Sequence, residues 1–417
     1  MKHTNKQVLY LYSASLFSTI IGVLVSVLNT NNLSPEEYGD VRYINNIMQF
    51  LSGFLSFGYF VSGSRLLAIS SNRKITASIK GVLIIILVAS IIIMTLLMLI
   101  LGGVHFYLQN PASSLFFIAI PICSAPLLLN YINTVFQGDN QIGGIALGRL
   151  LPSLFYLCVA YYIYDTCGAT STRMLLLQNG MSVFVLAIII LWSKPSFNRL
   201  RGSFNRLQVE NKRYGLQVYI GSICGVSLNY LAGVTLGLFN SSNESVGLFT
   251  LALTISAPLA MLPTIIGTTY FKQFAQSNFI QKKIILGTVG ISVVSLMVYI
   301  AIIPFIISYL YPESYVSVAS YASVLAIGTT VHGLGDMFNR FLGAHGQGKF
   351  IQRGAIVTGL VLLIGNVVLV WSFGIAGAIM TKILASTCYC YIMIYFYRKL
   401  TIHRGNKNER QNNMAGL

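Results

Sequence analysis

Charged residues are scarce in this 417-residue chain, and acidic residues are the scarcest of them. Only 9% of the residues are charged, with 10 Asp and Glu against 27 Lys and Arg, whereas a typical soluble domain carries roughly 25%. Hydrophobic residues make up 55% of the chain and fall in long runs separated by short basic patches. This pattern predicts a polytopic membrane protein, and the retention of basic loops inside the cell explains the positive charge without a nucleic-acid partner.

Several features that catalysis would require are also missing. The connections between the hydrophobic runs are short, and no glycine-rich phosphate loop of the Walker type is present. The runs contain neither paired carboxylates nor a His, Asp and Glu cluster at metal-ligand spacing. The six cysteines show no spacing typical of a disulfide framework. We therefore expect no enzymatic activity and no cofactor, which leaves a transporter as the default class.

Twelve hydrophobic runs are long enough to cross a membrane, which takes about 20 apolar residues in a helix. The runs are continuously apolar rather than alternating, which predicts an all-α fold and not a barrel. We place the helices at residues 8–30, 44–66, 81–104, 115–136, 143–164, 173–192, 215–238, 248–270, 284–308, 316–340, 354–373 and 376–397.

The distribution of charge between these runs predicts their orientation. Lysine and arginine concentrate in the even-numbered connections and in both tails, while acids mark the odd-numbered connections. The acids are Glu36, Glu37, Asp40, Asp165, Glu244 and Glu313. Because basic segments are retained in the cytoplasm during insertion, we expect both termini to be cytoplasmic.

Two short patterns recur at half the length of the chain. The sequence Glu-x-x-Gly follows the first run at Glu36 and the seventh run at Glu244, an offset of 208 residues. The pair Asn133 and Gln141 recurs as Asn339 and Gln347, an offset of 206 residues. Two matches at nearly one offset predict two six-helix lobes related as parallel repeats. The predicted lobes are residues 1–192 and 215–397, followed by a basic cytoplasmic tail at 398–417.

The connection between the predicted lobes, residues 193–214, is the longest and most basic. It contains a tandem repeat in which Ser-Phe-Asn-Arg-Leu occurs at 196–200 and again at 203–207. A spacing of seven residues returns each side chain to nearly the same helix face, with Phe and Leu on one side and Arg on another. The linker is therefore interpreted as a helix in the cytoplasmic headgroup layer, with a disordered basic linker as the alternative.

The segment at residues 33–69, LSPEEYGDVRYINNIMQFLSGFLSFGYFVSGSRLLAI, resembles the opening of bacterial polysaccharide flippases. The similarity rests on the Leu-Ser-Pro-acid-acid-Tyr-Gly turn, a Gly-aromatic stretch and Arg-Leu-Leu at the end of the second run. These Wzx-type O-antigen exporters share a superfamily with the multidrug extruders and the peptidoglycan lipid II flippase. The resemblance implies two six-helix bundles around a central cavity in the bacterial inner membrane. It also implies a cargo, an undecaprenyl-pyrophosphate-linked oligosaccharide turned from the cytoplasmic to the periplasmic leaflet.

Five cations lie within the predicted spans or at their ends, namely Arg42, Arg65, Arg149, Arg173 and Lys382. A charge at the centre of a membrane costs about 2.5 to 3.5 kcal/mol and normally faces protein or water. A guanidinium fork matches phosphate oxygens, so we interpret Arg149, Lys382, Arg42 and Arg173 as substrate-binding cations of the cavity. Headgroup anchoring is the alternative for Arg42 and Arg173, and pairing with a neighbouring helix is the alternative for Arg149.

A second group of ionisable residues lies in the tenth run. His332, Asp336 and Arg340 are spaced by four residues and therefore share one helix face. Their spacing favours two interpretations. His332 and Asp336 exchange a proton or hold Na⁺ during a transport cycle, or Asp336 and Arg340 form a local ion pair.

Together these observations predict a flippase for lipid-linked repeat units in O-antigen and lipopolysaccharide biosynthesis, working by alternating access. Its expected partners are the lipid-linked oligosaccharide, membrane lipids, a polysaccharide polymerase and a chain-length regulator. A multidrug or cation extruder is the nearest alternative, but its cargo needs a buried carboxylate and the first run contains no acid. A polymerase or ligase of the same pathway would need longer loops, and a scaffold for glycan assembly remains a third alternative.

Overall fold

The structure, a computed structural model, describes residues 2–70, 72–198 and 200–415, with side chains over 17–402 except at positions 71, 199 and 272. Arg199 of the tandem repeat and the last two residues of the predicted tail lie outside the described residues. Helices and short 3₁₀ or π turns are the regular structure of the described residues, and no strand occurs among them. The all-α fold class is confirmed.

The helices are numbered in chain order. They are α1 Lys2–Asn32, α2 Pro35–Phe54, α3 Tyr59–Ile69, α4 Arg73–Tyr107, α5 Ser113–Ala119, α6 Ala125–Tyr131, α7 Ile142–Cys167, α8 Ser171–Trp192, α9 Leu200–Glu210, α10 Leu216–Gly225, α11 Leu231–Phe239, α12 Glu244–Ser256, α13 Pro258–Thr269, α14 Phe271–Gln276, α15 Lys282–Leu310, α16 Val318–Ala344 and α17 Gly348–Ala415.

All twelve predicted spans fall on helical segments of the described chain. Eight of these helical segments are long and apolar enough to cross a membrane on their own. A ninth, Ser113–Ile122 with Ala125–Phe136, is bent by 40°. The last segment, α17, contains a non-helical reversal at Gly374, between the predicted spans 354–373 and 376–397. The chain is therefore a multi-pass membrane protein.

Several helices are interrupted where the sequence shows only a continuous hydrophobic run. The predicted span 44–66 breaks between α2 and α3, where Phe57 and Gly58 adopt positive φ angles of 46° and 79°. A Cβ at Gly58 would lie 2.9 Å from the carbonyl carbon of Gly215. Only glycine accommodates both the left-handed backbone and this close approach.

The chain divides into two compact units, Met1–Leu248 and Phe249–Leu417. In the first unit α1 packs on α7, α7 on α8, and α2 on α11 and the 3₁₀ turn before it. In the second unit α16 packs against α13, α15 and α17. The core of the second unit includes Phe274, Met337, Phe341 and Met393. The lobe boundaries at 192 and 215 stay a prediction.

The two copies of the Glu-x-x-Gly pattern lie against each other within the first unit. A Cβ on Gly39 would lie 1.9 Å from the backbone oxygen of Asn243, and a Cβ on Gly247 would lie 3.0 Å from the backbone nitrogen of Gly39. The Asn243 side chain donates to Asp40 Oδ1 at 2.7 Å. Both glycines therefore serve a close contact between helix ends.

The basic linker contains a helix, α9, that is attached to the first unit by specific contacts. Ser203 Oγ lies 2.8 Å from Ser78 Oγ, and Leu207 is fully buried. Glu210 forms an ion pair with Arg65 at 2.7 Å. Arg201 and Arg206 of the same helix are exposed. The helical interpretation of residues 200–210 therefore agrees with the structure, while the location of this helix in a headgroup layer stays a prediction.

Candidate functional site

A cavity of about 390 Å³ lies within the first unit. Helices α2, α3, α6, α7 and α10 and the turns beside them supply its walls. Most of the lining side chains are polar, and they belong to residues far apart in the sequence. The lining residues are Gln49, Ser52, Gly53, Ser56, Phe60, Val61, Pro126, Leu129, Asn130, Asn133, Thr134, Arg149, Ser222, Val226, Ser227 and Tyr230.

Arg149 lines this cavity from the first third of α7. Its Nε donates to Oδ1 of Asn133 at 2.9 Å. Asn133 lies in a π-helical turn, residues 132–136, that follows α6. Such turns place a side chain at an angle that a regular α-helix does not reach, and they are frequent at functional sites. The π turn therefore positions the amide that orients the guanidinium.

The electrostatics of the cavity are dominated by this one cation. Among the described residues that line it, Arg149 is the only charged one, and none is an Asp or a Glu. The remaining polar lining consists of amides and hydroxyls, including Gln49, Asn130, Ser52 and Tyr230. A guanidinium binds phosphate oxygens through a bidentate fork, while amides and hydroxyls both donate to and accept from sugar hydroxyls. The cavity is therefore suited to an anionic, polar ligand.

The other predicted substrate cations occupy different places. Arg173 donates to the backbone oxygens of Cys167 and Gly168, where it closes the turn between α7 and α8. Arg42 lies over the ring of Tyr38, with 4.6 Å from Cζ to the ring centroid. Neither residue lines the cavity of Arg149.

Lys382 belongs to the second unit, near a half-buried polar cluster formed by α13, α16 and α17. The hydroxyl of Tyr389 donates to Asp336 Oδ1 at 2.8 Å, and Thr264 donates to Asp336 Oδ2 at 3.1 Å. The imidazole of His332 stacks on the Tyr389 ring, with centroids 4.5 Å apart. The positive charge of Lys382 acts directly on His332.

This arrangement bears on the two interpretations of the tenth run. Arg340 forms no ion pair with Asp336 within the described side chains. Hydroxyl groups of α13 and α17 donate to the two oxygens of Asp336. Arg340 instead packs its aliphatic stem near Gly267 of α13. His332 and Asp336 lie in one cluster through Tyr389, while the exchange of a proton or the binding of Na⁺ there stays a prediction.

The sequence contained a signal for two residues whose roles it did not reveal. Asn133 and Asn339 mark the predicted repeat, and in the structure each forms a hydrogen bond to a side chain of a candidate site. Asn133 accepts from Arg149, and the amide of Asn339 donates to the hydroxyl of Tyr389 at 2.8 Å. Tyr389 and Thr264 themselves were missed, since a single tyrosine or threonine in an apolar run carries no specific pattern.

Comparison with known proteins identifies the family. The family model described as polysaccharide biosynthesis protein matches residues 5–277, which is more than half of the chain. The chain belongs to the polysaccharide biosynthesis protein family. A relative with 23% identity over 286 residues is an uncharacterized membrane protein of Methanocaldococcus jannaschii. The match covers 66% of this chain and spans 56% of the length of that relative.

Solved structures with the same fold are transporters. An inward-facing multidrug resistance MATE family transporter of the MOP superfamily matches with a TM-score of 0.66 and 15% identity, over 92% of this chain and 95% of that one. The lipid II flippase MurJ, in an inward closed conformation, matches with a TM-score of 0.64 and 13% identity, over 94% and 90% of the two chains. The resemblance predicted from residues 33–69 is thus confirmed at the level of family and fold.

Proposed function

We propose that this member of the polysaccharide biosynthesis protein family is a flippase for a lipid-linked oligosaccharide joined through a pyrophosphate. The observation that carries the proposal is the cavity of Arg149, whose described lining residues include this one charged side chain and no acid. Family membership and the shared fold with a lipid II flippase support a lipid-linked cargo. The finer part of the proposal is the undecaprenyl carrier and a repeat unit of the O-antigen type, moved across the inner membrane by alternating access.

The geometry favours this cargo over that of a cation extruder. A cationic drug would face the guanidinium of Arg149 without a carboxylate in the cavity wall to balance it. Like charges in a site of low dielectric repel strongly. A pyrophosphate instead gains charge-assisted hydrogen bonds there, and the amides and hydroxyls beside it are available to the sugars.

The test is a substitution series at Arg149 with surface glycan measured per inserted protein. Arg149→Ala removes charge-assisted bonds worth about 1.5–3 kcal/mol, so we expect a drop in export of at least tenfold. Arg149→Lys should restore only part of it, since a point charge replaces a fork, and Arg149→Glu should be worst. Arg353→Ala, at an exposed position of α17, is the matched control.

Two outcomes contradict the proposal. If Arg149→Ala exports normally at normal abundance, Arg149 does not bind the cargo. If inserted protein falls in step with glycan, Arg149 has a structural role. Resistance to cationic drugs, measured in the same strains, provides the outcome expected of the extruder.

We further propose that the cluster of His332, Asp336, Tyr389 and Lys382 couples transport to protons rather than to Na⁺. Both Asp336 oxygens already accept hydrogen bonds from hydroxyls, which leaves fewer lone pairs for Na⁺ to coordinate. A proton on the imidazole of His332 needs none of these lone pairs. We also propose that both termini lie in the cytoplasm, as the basic connections predict. The proposed partners are a polymerase and a chain-length regulator.

The coupling proposal is tested in liposomes that contain a pH-sensitive dye. Cargo-dependent proton flux should be lost in His332→Gln and reduced in Tyr389→Phe, which removes the hydroxyl bound to Asp336. Tyr391→Phe, whose side chain is 70% exposed, should behave as wild type. Flux that follows a Na⁺ gradient and ignores His332 would contradict the proposal.

A further inference from the structure

A second group of hydrogen-bond donors lies in the first unit, away from the cavity of Arg149. Asn29 of α1 is fully buried. Its Oδ1 accepts from the hydroxyl of Tyr156 at 2.5 Å and lies 3.2 Å from that of Tyr164. The two hydroxyls are 2.9 Å apart. The acceptor side of the Asn29 amide is therefore saturated, while its Nδ2 has no acceptor among the described residues.

The guanidinium of Arg42 belongs to the same group. Its charge acts electrostatically on the hydroxyls of Tyr156 and Tyr164. Its Nε is buried and has no hydrogen-bond partner within the described part of the chain. A buried donor without an acceptor is costly, by about 1–3 kcal/mol and more for a charged group. Asn29 Nδ2 and Arg42 Nε are both donors of this kind, which indicates a site that an acceptor of negative charge would complete.

The acids nearest to Arg42 in the sequence are engaged elsewhere. Glu37 accepts from the backbone nitrogen and the hydroxyl of Ser34, in the capping box of α2. Asp40 accepts from Asn243 at 2.7 Å. Among the described side chains, neither forms an ion pair with Arg42. The guanidinium is therefore held against the Tyr38 ring and not against a carboxylate.

The group of Arg42 is aligned with Arg149 along α7. Tyr156 is seven residues after Arg149 and so lies on nearly the same helix face, about 10 Å further along the axis at ~1.5 Å per residue. Tyr164 lies about 22 Å beyond Arg149 by the same measure. Helix α1 follows this face, since Ser18 Oγ donates to the backbone oxygen of Arg149 and Asn29 bonds to Tyr156. Arg149 and the two tyrosines that bond to Asn29 thus lie at successive levels of α7.

We propose that Arg42, Asn29, Tyr156 and Tyr164 form a second phosphate-binding subsite. It receives the pyrophosphate of the cargo after Arg149 releases it. The inference rests on the proposed function for the identity of the cargo. The ligand chemistry itself is that of a phosphate group, which a phospholipid headgroup also carries, and the experiment distinguishes these sources.

The experiment measures ligand binding to purified full-length protein by native mass spectrometry, together with export in cells. The probes are undecaprenyl diphosphate, phosphatidylglycerol and inorganic pyrophosphate. In Arg42→Gln we expect undecaprenyl diphosphate to bind about tenfold to a hundredfold more weakly at unchanged protein abundance. Arg42→Lys should restore part of this binding.

The hydroxyls are tested by a matched pair on the same helix. Tyr156→Phe removes the buried hydroxyl that donates to Asn29 and should weaken binding severalfold. Tyr161→Phe removes a hydroxyl from a side chain that is 70% exposed and should change nothing. Thermal unfolding of each variant in detergent separates loss of a ligand from loss of fold. An equal loss of stability in the presence and absence of undecaprenyl diphosphate would overturn the proposal.

The remaining outcomes distinguish the two proposals. If the wild type binds no undecaprenyl diphosphate, the proposed function fails. If binding requires Arg149 but Arg42→Gln binds and exports normally, only the second subsite fails. If Arg42→Gln loses phosphatidylglycerol alone and keeps undecaprenyl diphosphate, the group holds a membrane lipid and the hand-over of the cargo is overturned.

Discussion

The contact between the two Glu-x-x-Gly patterns allows a sharp test at Gly39. In Gly39→Ala the new Cβ would lie 1.9 Å from the backbone oxygen of Asn243 and 2.6 Å from its carbonyl carbon. Both atoms belong to the backbone, so no rotation of a side chain relieves the overlap. Overpacking of this kind typically costs about 1–3 kcal/mol. Alanine also favours a helix over glycine by about 1 kcal/mol, which offsets only part of the cost.

The matched control is Gly103→Ala in α4, where a Cβ meets nothing within 4 Å. This variant has the helix gain without the overlap, so we expect unchanged or slightly higher stability. Thermal unfolding in detergent and the amount of inserted protein measure both variants. We expect Gly39→Ala to unfold at a lower temperature than wild type and Gly103→Ala at the same or a higher one. Equal unfolding temperatures for Gly39→Ala and wild type would refute the close contact between the patterns.

Two ion pairs of the first unit should differ in their response to substitution. Lys80, which is 9% exposed, contacts Asp139 at 2.6 Å and donates to Ser193. Lys80→Met should lower the free energy of unfolding by about 3–5 kcal/mol because it leaves the charge of Asp139 uncompensated. Adding Asp139→Asn should recover part of this stability, which a double-mutant cycle of thermal unfolding measures. The side chains of Arg65 and Glu210, which form the second ion pair, are 44% and 14% exposed. Arg65→Gln should therefore lower the free energy of unfolding by at most about 1 kcal/mol in the same measurement. A larger loss would show that the attachment of α9 depends on this pair.

The membrane-spanning segments were predictable from the sequence because one physical requirement fixes them. Backbone groups in hydrocarbon must be satisfied within the segment, so a long apolar run can hardly be anything but a helix. The same rule predicts two separate spans at residues 354–373 and 376–397, and the backbone of α17 is non-helical between them, at Gly374. The fold class followed from this rule without knowledge of any tertiary contact.

The breaks within the spans were not predictable in the same way. The break at Phe57 and Gly58 depends on the approach of Gly215, a residue more than 150 positions away. Hydropathy does not record such a contact. The π turn that holds Asn133 likewise leaves the apolar pattern unchanged. Irregular backbone of this kind is set by packing between segments, which a single sequence does not display.

The candidate site was predictable where it carries charge and not where it carries only hydrogen bonds. Arg149 and Lys382 were identified because a cation in an apolar run is expensive. Asn29 and Tyr156 were not, since tyrosine is also common in the interfacial belts of membrane proteins. Burial in the structure distinguishes Tyr156 from an exposed tyrosine of the same helix, because Tyr156 is 1% exposed and Tyr161 is 70% exposed.

Four of the acidic residues make defined contacts in the structure. Glu37 caps α2, Asp139 pairs with Lys80, and Glu210 pairs with Arg65. Each of these carboxylates is committed to holding the first unit together. Asp336, in the second unit, is held by two hydroxyls beside a histidine. With these four carboxylates engaged in such contacts and a guanidinium among the described residues that line the cavity of the first unit, the distribution of charge supports the proposed anionic cargo over a cationic one.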